Sequence, residues 1–427
     1  MNKPFPNPIA ESAVNVREIL TPAGLRAWLV EDYAVPIVAV EFAMRGGGAQ
    51  DMAGKAGVAS MISGLMDEGA GDLDDQAFQT ALDEKAIELS FHAERDYLSG
   101  RMRTLLRNVD TAGELMQLAI NAPRFDEAPF LRVREQMNAR LRHDAHDPAH
   151  MAGASWRARI FAGHPYAQPT EGELDTLAAI ELADIKSHAR DLVTRSDMVI
   201  AVVGAIGPER AGRLIDKLFA GLPTKAKRVD IAAAPFLGLG DCEIIDLDVP
   251  QSTIRFGRPA LSRKDSDYMT SVVLAHVLGG GTGLSSRLFR EVREKRGLAY
   301  SVSASIASFE HASYIYGGTT TKNERAHESL DVIQAEILDL ARGNVTEAEL
   351  DKGKKYLIGS YPLRFDTSTK IASQLVHIQL DGYGADWLTK RNHLIAEVTM
   401  SDAKRVAERL FGDGALSVTM VGRPVKG

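Results

Sequence analysis

The sequence predicts an α+β fold of two homologous lobes, each a mostly antiparallel sheet covered by helices, facing one another across a cleft. Three observations predict it. The chain has 427 residues, more than one hydrophobic core usually holds. It repeats itself at a period of roughly 210 residues. Within each repeat, period-two apolar segments stand at the ends and helical patterns fill the middle.

The elements follow in order. "VPIVAVEFAM" places Val38, Val40 and Phe42 on one face, the alternation of a strand. In "GVASMISGLMDEGAG", Val58, Met61, Ile62 and Leu65 recur at i, i+3, i+4 and i+7, the buried face of a helix. The opposite face carries Ser60, Ser63 and Gly64. "ERDYLSGRMRTL" reads as a strand near the first lobe's edge. "RFDEAPFLRVREQMNARL" is a long amphipathic helix with Asp126 as its N-cap. "HPYAQPTEGELDTL" reads as a loop and then a helix, with Thr170 and Glu173 as a capping box. The half closes on a helix and an apolar strand, "ELADIKSHARDLVTRSDMVIAVVG". The second half answers with "QSTIRFGRPA", "MTSVVLAHVLGGGTG", "VTEAELDKGKKYLIGSYPL" (N-cap Thr346) and "TMSDAKRVAERLFGDGALSVTMVG". Between them, Pro223 to Gly240 has the Pro, Gly, Ala and Lys content of a linker. The expected division is therefore a first lobe at 1–222, a linker at 223–240 and a second lobe at 241–427.

Composition excludes several function classes. A net charge of −7, without a basic cluster interleaved with aromatics, argues against a nucleic-acid or anionic-membrane binder. One cysteine, Cys242, rules out an internal disulfide and a cysteine zinc site. No long apolar run of membrane-spanning length occurs. The opening "MNKPFPNPIA" lacks the apolar segment of a signal peptide, so a cytoplasmic location is expected if the chain is complete and a periplasmic one if a signal was removed.

Two segments invite chemistry. "HDAHDPAH" holds His143, His146 and His150 with Asp144 and Asp147 between them, which could form a divalent-metal site. Pro148 breaks the helix that would align His150, and the simpler reading is a solvated helix end beside its negative dipole. "GGGTGLSSRLFREVREKRGLAYSVSAS" runs from a glycine cluster, Gly279, Gly280 and Gly281, into a basic helix capped by Thr282 or Ser285 and stopped at Gly297. A strand follows from about Tyr300. The segment lacks the Gly-Lys-Ser/Thr of a phosphate loop.

Taken whole, this last stretch resembles the second lobe of the pitrilysin/insulinase zinc metallopeptidase family, in its bacterial branch similar to mitochondrial processing peptidase. The resemblance extends over nearly the whole chain, since "GVASMISGLMDEGAG" falls where that family carries its inverted zinc motif, H-x-x-E-H. The resemblance implies that Arg293 and Tyr300 in "REKRGLAY" reach substrate held at a metal across the cleft, with Gly279, Gly280 and Gly281 lining the substrate path. It also implies a loss. Ser60 occupies the first histidine position, Ser63 the glutamate and Gly64 the second histidine. The third ligand, a glutamate on a later helix, corresponds to Arg140, 76 residues after Gly64 (140 against 64). Ligands and general base are all replaced, so this chain is expected to bind no metal and to be inactive alone.

What remains is a non-catalytic subunit of a heterodimeric zinc peptidase. Its expected partner is a homologous chain with an intact H-x-x-E-H motif, which would hold the zinc while this chain supplies Arg293 and Tyr300 to a peptide substrate. Two alternatives stand beside it: a scaffold subunit similar to the core proteins of respiratory complexes, and a peptide-binding homodimer without chemistry.

Overall fold

A computed structural model describes residues 14–280 and 286–425. The first half contains β1 (Arg17–Leu20), β2 (Arg26–Glu31), β3 (Ile37–Arg45), α1 (Val58–Leu65), α2 (Asp75–Glu84), β4 (Glu88–Ala93), β5 (Tyr97–Leu105), α3 (Val109–Asn121), α4 (Glu127–Asp144), α5 (Pro148–Ile160), α6 (Leu174–Ala179), α7 (Leu182–Leu192), β6 (Val199–Gly204) and α8 (Pro208–Phe219). The second contains β7 (Cys242–Ile245), β8 (Gln251–Pro259), α9 (Tyr268–Gly279), a π-helix over Phe289–Glu294, β9 (Ala299–Ser308), β10 (Ser313–Lys322), α10 (Ala326–Ala341), α11 (Glu347–Gly359), α12 (Ser368–Leu380), α13 (Trp387–Glu397), α14 (Met400–Phe411) and β11 (Ser417–Val421).

The two sheets have one topology. The first runs β1-β2-β6-β3-β5-β4 and the second β7-β11-β8-β10-β9. Removing β1 and matching β2 to β7, β3 to β8 and so on makes the orders identical. β8 starts 214 residues after β3 (251 against 37), close to the period read from the sequence. In each sheet one pair is parallel, β2 with β6 and β7 with β11, and the other pairs are antiparallel.

Each sheet is covered on one face by helices of its own half. Val38, Val40 and Phe42 join Val58, Ile62 and Leu65 in the first core, and Ile254 and Phe256 join Val273, Val277 and Ile333 in the second. Coverage does not stop there. The other face of the first sheet, with Trp28, Val30, Ala43, Ala201 and Val203, is sealed by Ile371, Leu375 and Val376 of α12, a helix of the second half. Its counterpart α5 crosses in the opposite direction, and the Trp156 indole N–H donates to the Ser417 carbonyl of β11 at 2.9 Å. The lobes therefore exchange one helix each, and much of the expected cleft between them is packed interior.

β5 lies near the edge of its sheet as expected, with only β4 beyond it, because residues 88–93 pair back on β5. Two local expectations change. Asp126 precedes α4 without capping it and pairs with Arg124 instead (2.6 Å), whereas Thr346 caps α11 as expected. The box at α6 is formed by Glu173 and Thr176, with the Glu173 N–H donating to Thr176 Oγ1 at 2.8 Å. Thr170 lies in the preceding loop, where its carbonyl meets α1. Residues 223–240 contain no helix or regular strand, but they are strapped down. The Leu237 N–H donates to the Ile160 carbonyl, and Phe236 stacks edge-on against Trp156.

Candidate functional site

Helix α1 carries Ser60, Ser63 and Gly64, the positions that the resemblance reads as a degenerate zinc site. It starts after Gly57, whose φ of +102° favours glycine, and the Asp51 carboxylate accepts the Gly57 and Ala59 N–H groups at 2.7 and 2.9 Å. Its polar face does not look into open space. Ser60 Oγ donates to the Thr170 carbonyl at 2.8 Å, and the buried Ser63 Oγ donates to the Ser60 carbonyl at 2.8 Å. A side chain at Gly64 would begin 3.3 Å from Val133 Cγ1 of α4. Both hydroxyl protons are committed to backbone carbonyls, and the loop before α6 and helix α4 close over the face. Arg140 lies two turns beyond Val133, exposed, with its guanidinium 3.7 Å from Asp144. His143, His146 and His150 are exposed at the break between α4 and α5, where Asp147 caps the new helix. Among the described residues no group of three or more His, Cys, Asp or Glu side chains is placed to hold a metal ion.

The second lobe presents the opposite case. Arg293 ends a π-helical turn, and its guanidinium lies 4.6 Å from the Tyr300 ring centroid and 4.8 Å from that of Phe289. Such cation–π contacts hold a charged group over an aromatic face without using its hydrogen-bond donors. Tyr300 is 82% exposed. Strand parity explains why this is unusual. Val302 and Ala304 point to the core, so Tyr300 should too. A bulge intervenes: Thr319 pairs with Val302 but Thr321 with Ala299, leaving Tyr300 and Ser301 opposite a single residue. The extra residue turns Tyr300 out of the core-facing series.

Two buried threonines staple the bulge. Thr319 Oγ1 donates to the Ser301 carbonyl at 2.8 Å, and Thr321 Oγ1 donates to the Leu298 carbonyl at 2.5 Å. The helix before it is held by two ionic clusters. The buried Arg287 guanidinium forks onto Glu349 and also donates to Asp339 and to the Asn344 carbonyl. Glu291, also buried, is surrounded by Arg290, Lys295 and Arg296. Burial works to raise its pKa, but hydrogen bonds from Lys295, Arg296 and Arg290 prevail and bring it to about 2. Sequence reasoning did not find these four residues. Their one visible signal is that Thr319 and Thr321 stand on the inward phase of a strand whose other inward positions are Ile315 and Gly317.

Neither the Arg293 guanidinium nor the Tyr300 hydroxyl has a hydrogen-bond partner among the described residues. Both are donors suited to an oxygen that gains negative charge. Gly279 has a packing role: a Cβ there would sit 2.5 Å from the Ala304 nitrogen, so α9 rests directly on β9. At Gly280 a Cβ would meet the His276 Cα at 2.7 Å. Gly281, like Thr282 and Ser285, lies outside the described residues.

Residues 179–357 match the sequence family described as "Peptidase M16 inactive domain". The match covers 179 of the chain's 427 residues. The segment spans the end of the first lobe, the strap and the second lobe through α11, and so includes Arg293 and Tyr300. Among named relatives, the "Non-peptidase homolog YmxG" of Helicobacter pylori is 26% identical over 79% of this chain and 78% of its own length. The "Uncharacterized zinc protease SCO5738" of Streptomyces coelicolor is 28% identical over 62% of this chain and 59% of its own. The fold is shared with a solved M16 inactive domain from Pseudomonas fluorescens (TM-score 0.89, 23% identity, 96% of this chain and 99% of that one). A chain of Complex III2 from Candida albicans has the same fold (TM-score 0.80, 17% identity, 96% of each chain). The solved structures share the fold over nearly the whole chain, and the family match itself begins at residue 179, after the positions of Ser60, Gly64 and Arg140. Among the described residues no helix is long and apolar enough to cross a membrane.

Proposed function

We propose that this chain is the non-catalytic subunit of a two-chain zinc peptidase, supplying Arg293 and Tyr300 to a peptide held at the zinc of a partner with an intact H-x-x-E-H motif. One asymmetry carries the reading. The serines of the degenerate helix are turned onto backbone carbonyls, while a bulge, two threonines and two ionic clusters hold Tyr300 and Arg293 at the surface with free donors. An ornament with no function would not need that support. Within this reading the zinc belongs to the partner, and the phenol and guanidinium stabilise the scissile carbonyl oxygen as it gains charge. Loss of one such donor typically costs about 2.7–4 kcal/mol of barrier, roughly a hundredfold or more in rate. The first test is association: co-expression with a candidate H-x-x-E-H chain should give a 1:1 complex on size exclusion, and two non-interacting chains would oppose the proposal. A scaffold role is the second reading, favoured by the fold shared with a chain of Complex III2. It expects stable assembly with no peptidase activity in any mixture.

A further inference from the structure

Three arginines converge where α5 crosses the second sheet, and no carboxylate neutralises them at contact distance. Arg95 follows β4, Arg157 lies on α5 and Arg255 on β8. Phe309 stacks on Tyr314 at 5.9 Å and Tyr316 meets it edge-on at 6.2 Å, which joins the ring under Arg95 to the ring under Arg255; burial raises the Tyr314 pKa, and the fields of Arg95, Arg157 and Arg255 pull it back. Arg95 stacks over Tyr166 (5.1 Å) and Phe309 (5.8 Å) and donates to the carbonyls of Tyr166 and Gln168. Arg255 stacks over Tyr316 (5.9 Å) and passes α5 at Gly153, where a Cβ would stand 3.8 Å from its guanidinium. Neither Arg157 nor Arg255 makes a hydrogen bond or ion pair among the described residues. The Nε of Arg157 is buried without a partner, and desolvation, then Arg95, push the Arg157 pKa down. Glu171 and Glu173 act on Arg157 through their field, but both are exposed and neither closes to ion-pair distance.

Buried polar groups without partners are rare in folded proteins, and an unpaired guanidinium is among the costliest. The buried Arg287 guanidinium is met by carboxylates and the buried Arg391 by the Leu357 carbonyl and Asn392 Oδ1. In a protein of net charge −7, three arginines left without contacting acids mark a place built for an anion. Its position fits the proposed function. Arg255 pairs across Gly318, and Gly318 pairs with Ser303, three residues from Tyr300. Two strand spacings across and three residues along amount to about 14 Å, or about four residues of extended chain. The floor between them is polar and open, with Ser303, Ser305 and Thr320 exposed and Tyr316 38% exposed.

We infer that Arg157 and Arg255, with Arg95 beside them, form a binding site for a carboxylate of the bound peptide, so that the chain selects acidic segments. The inference rests on the proposed peptide-handling role but is read out separately, on this chain alone. The probes are three fluorescein-labelled flexible peptides. One is amidated and carries internal glutamates, its twin carries glutamines, and the third is the glutamine peptide with a free C-terminal carboxylate. The glutamate peptide should bind at least tenfold more tightly than the glutamine twin by fluorescence anisotropy. The third peptide shows whether a terminal carboxylate serves as well as a side chain. In the Arg157→Gln, Arg255→Gln double variant the preference should vanish, and in Arg157→Lys, Arg255→Lys it should return in part. The Arg293→Ala variant should keep it. Thermal melts of each variant establish that it is folded. Equal affinity for the acidic and neutral peptides, no binding of either, or a preference that survives the double glutamine change in folded protein would overturn the inference. Failure of the two-chain peptidase proposal appears instead as absent activity in the mixture, with this selectivity intact.

Discussion

At the scale of single residues, the account turns on two hydroxyl side chains that no motif marks. Thr319 and Thr321 satisfy the carbonyls that the bulge at Tyr300 leaves unpaired. Thr319→Val or Thr321→Val keeps the shape and deletes the donor. Each should lower stability by about 1–3 kcal/mol in urea unfolding, because a buried carbonyl is left without a partner. The same changes should lower the activity of a two-chain mixture through kcat more than KM, since they loosen Tyr300 without touching the rest of the cleft. Stability unchanged in both variants would mean that the bulge is held by its neighbours alone. The shared helix face of Ser60, Ser63 and Gly64 was legible in the sequence because the helical period fixes it. Ser60, Ser63 and Gly64 lie on one face of α1 as the period requires. What spacing could not show is that Thr170 and Val133 cover that face, because both come from segments more than sixty residues away in the chain.

At the scale of elements, the helix that carries Arg293 depends on charge as well as on packing. Arg287→Ala would leave the half-buried Glu349 and Glu336 with only the more distant Arg290, 3.6 Å from Glu349, as a cation. Breaking such a cluster from one side should destabilise the fold by about 3–5 kcal/mol. Glu291 adds a pH dependence whose sign follows from its lowered pKa. Its folded value is about 2 and its unfolded value the ordinary 4.5. Its contribution is therefore fully present above about pH 5 and is lost as the pH falls toward 2. Glu291→Gln should be less stable than the parent protein at pH 7, and the difference should shrink toward zero near pH 2. A difference that is constant with pH would mean that the carboxylate is not the group that matters. Strands and helices were legible at this scale wherever the apolar period was strong, as at β3, α1 and α14, and at α11 the Thr346 cap agreed with it. β5 stands near the edge as expected, but alternation reports burial of a face and does not show that β4 pairs outside it. The capping box shifted to Glu173 and Thr176 because the loop holds Thr170 against α1 instead.

At the scale of the whole molecule, the internal repeat told of two lobes but not of their exchange. α5 and α12 are each weakly amphipathic, and the sequence does not say against which sheet they lie. The consequence is mechanical. The first sheet without α12 would expose Trp28, Val30, Ala201 and Val203. Residues 1–222 expressed alone should therefore aggregate or remain partly unfolded, and Leu375→Ala, which opens a cavity at this seam, should cost about 2–5 kcal/mol in one cooperative transition of the full chain. A well-folded isolated first half by circular dichroism and proton spectra would contradict that coupling. A rigid two-lobed wall also suits the proposed role, in which one chain presents donors to a metal held by another. The most direct measurement is zinc-dependent cleavage of a flexible fluorogenic peptide by this chain mixed with an H-x-x-E-H partner. The account predicts that the mixture is active, that each chain alone is nearly inactive, and that Arg293→Ala with Tyr300→Phe lowers the rate at least a hundredfold while the complex still forms. A partner fully active by itself, or a mixture indifferent to those two substitutions, would contradict it.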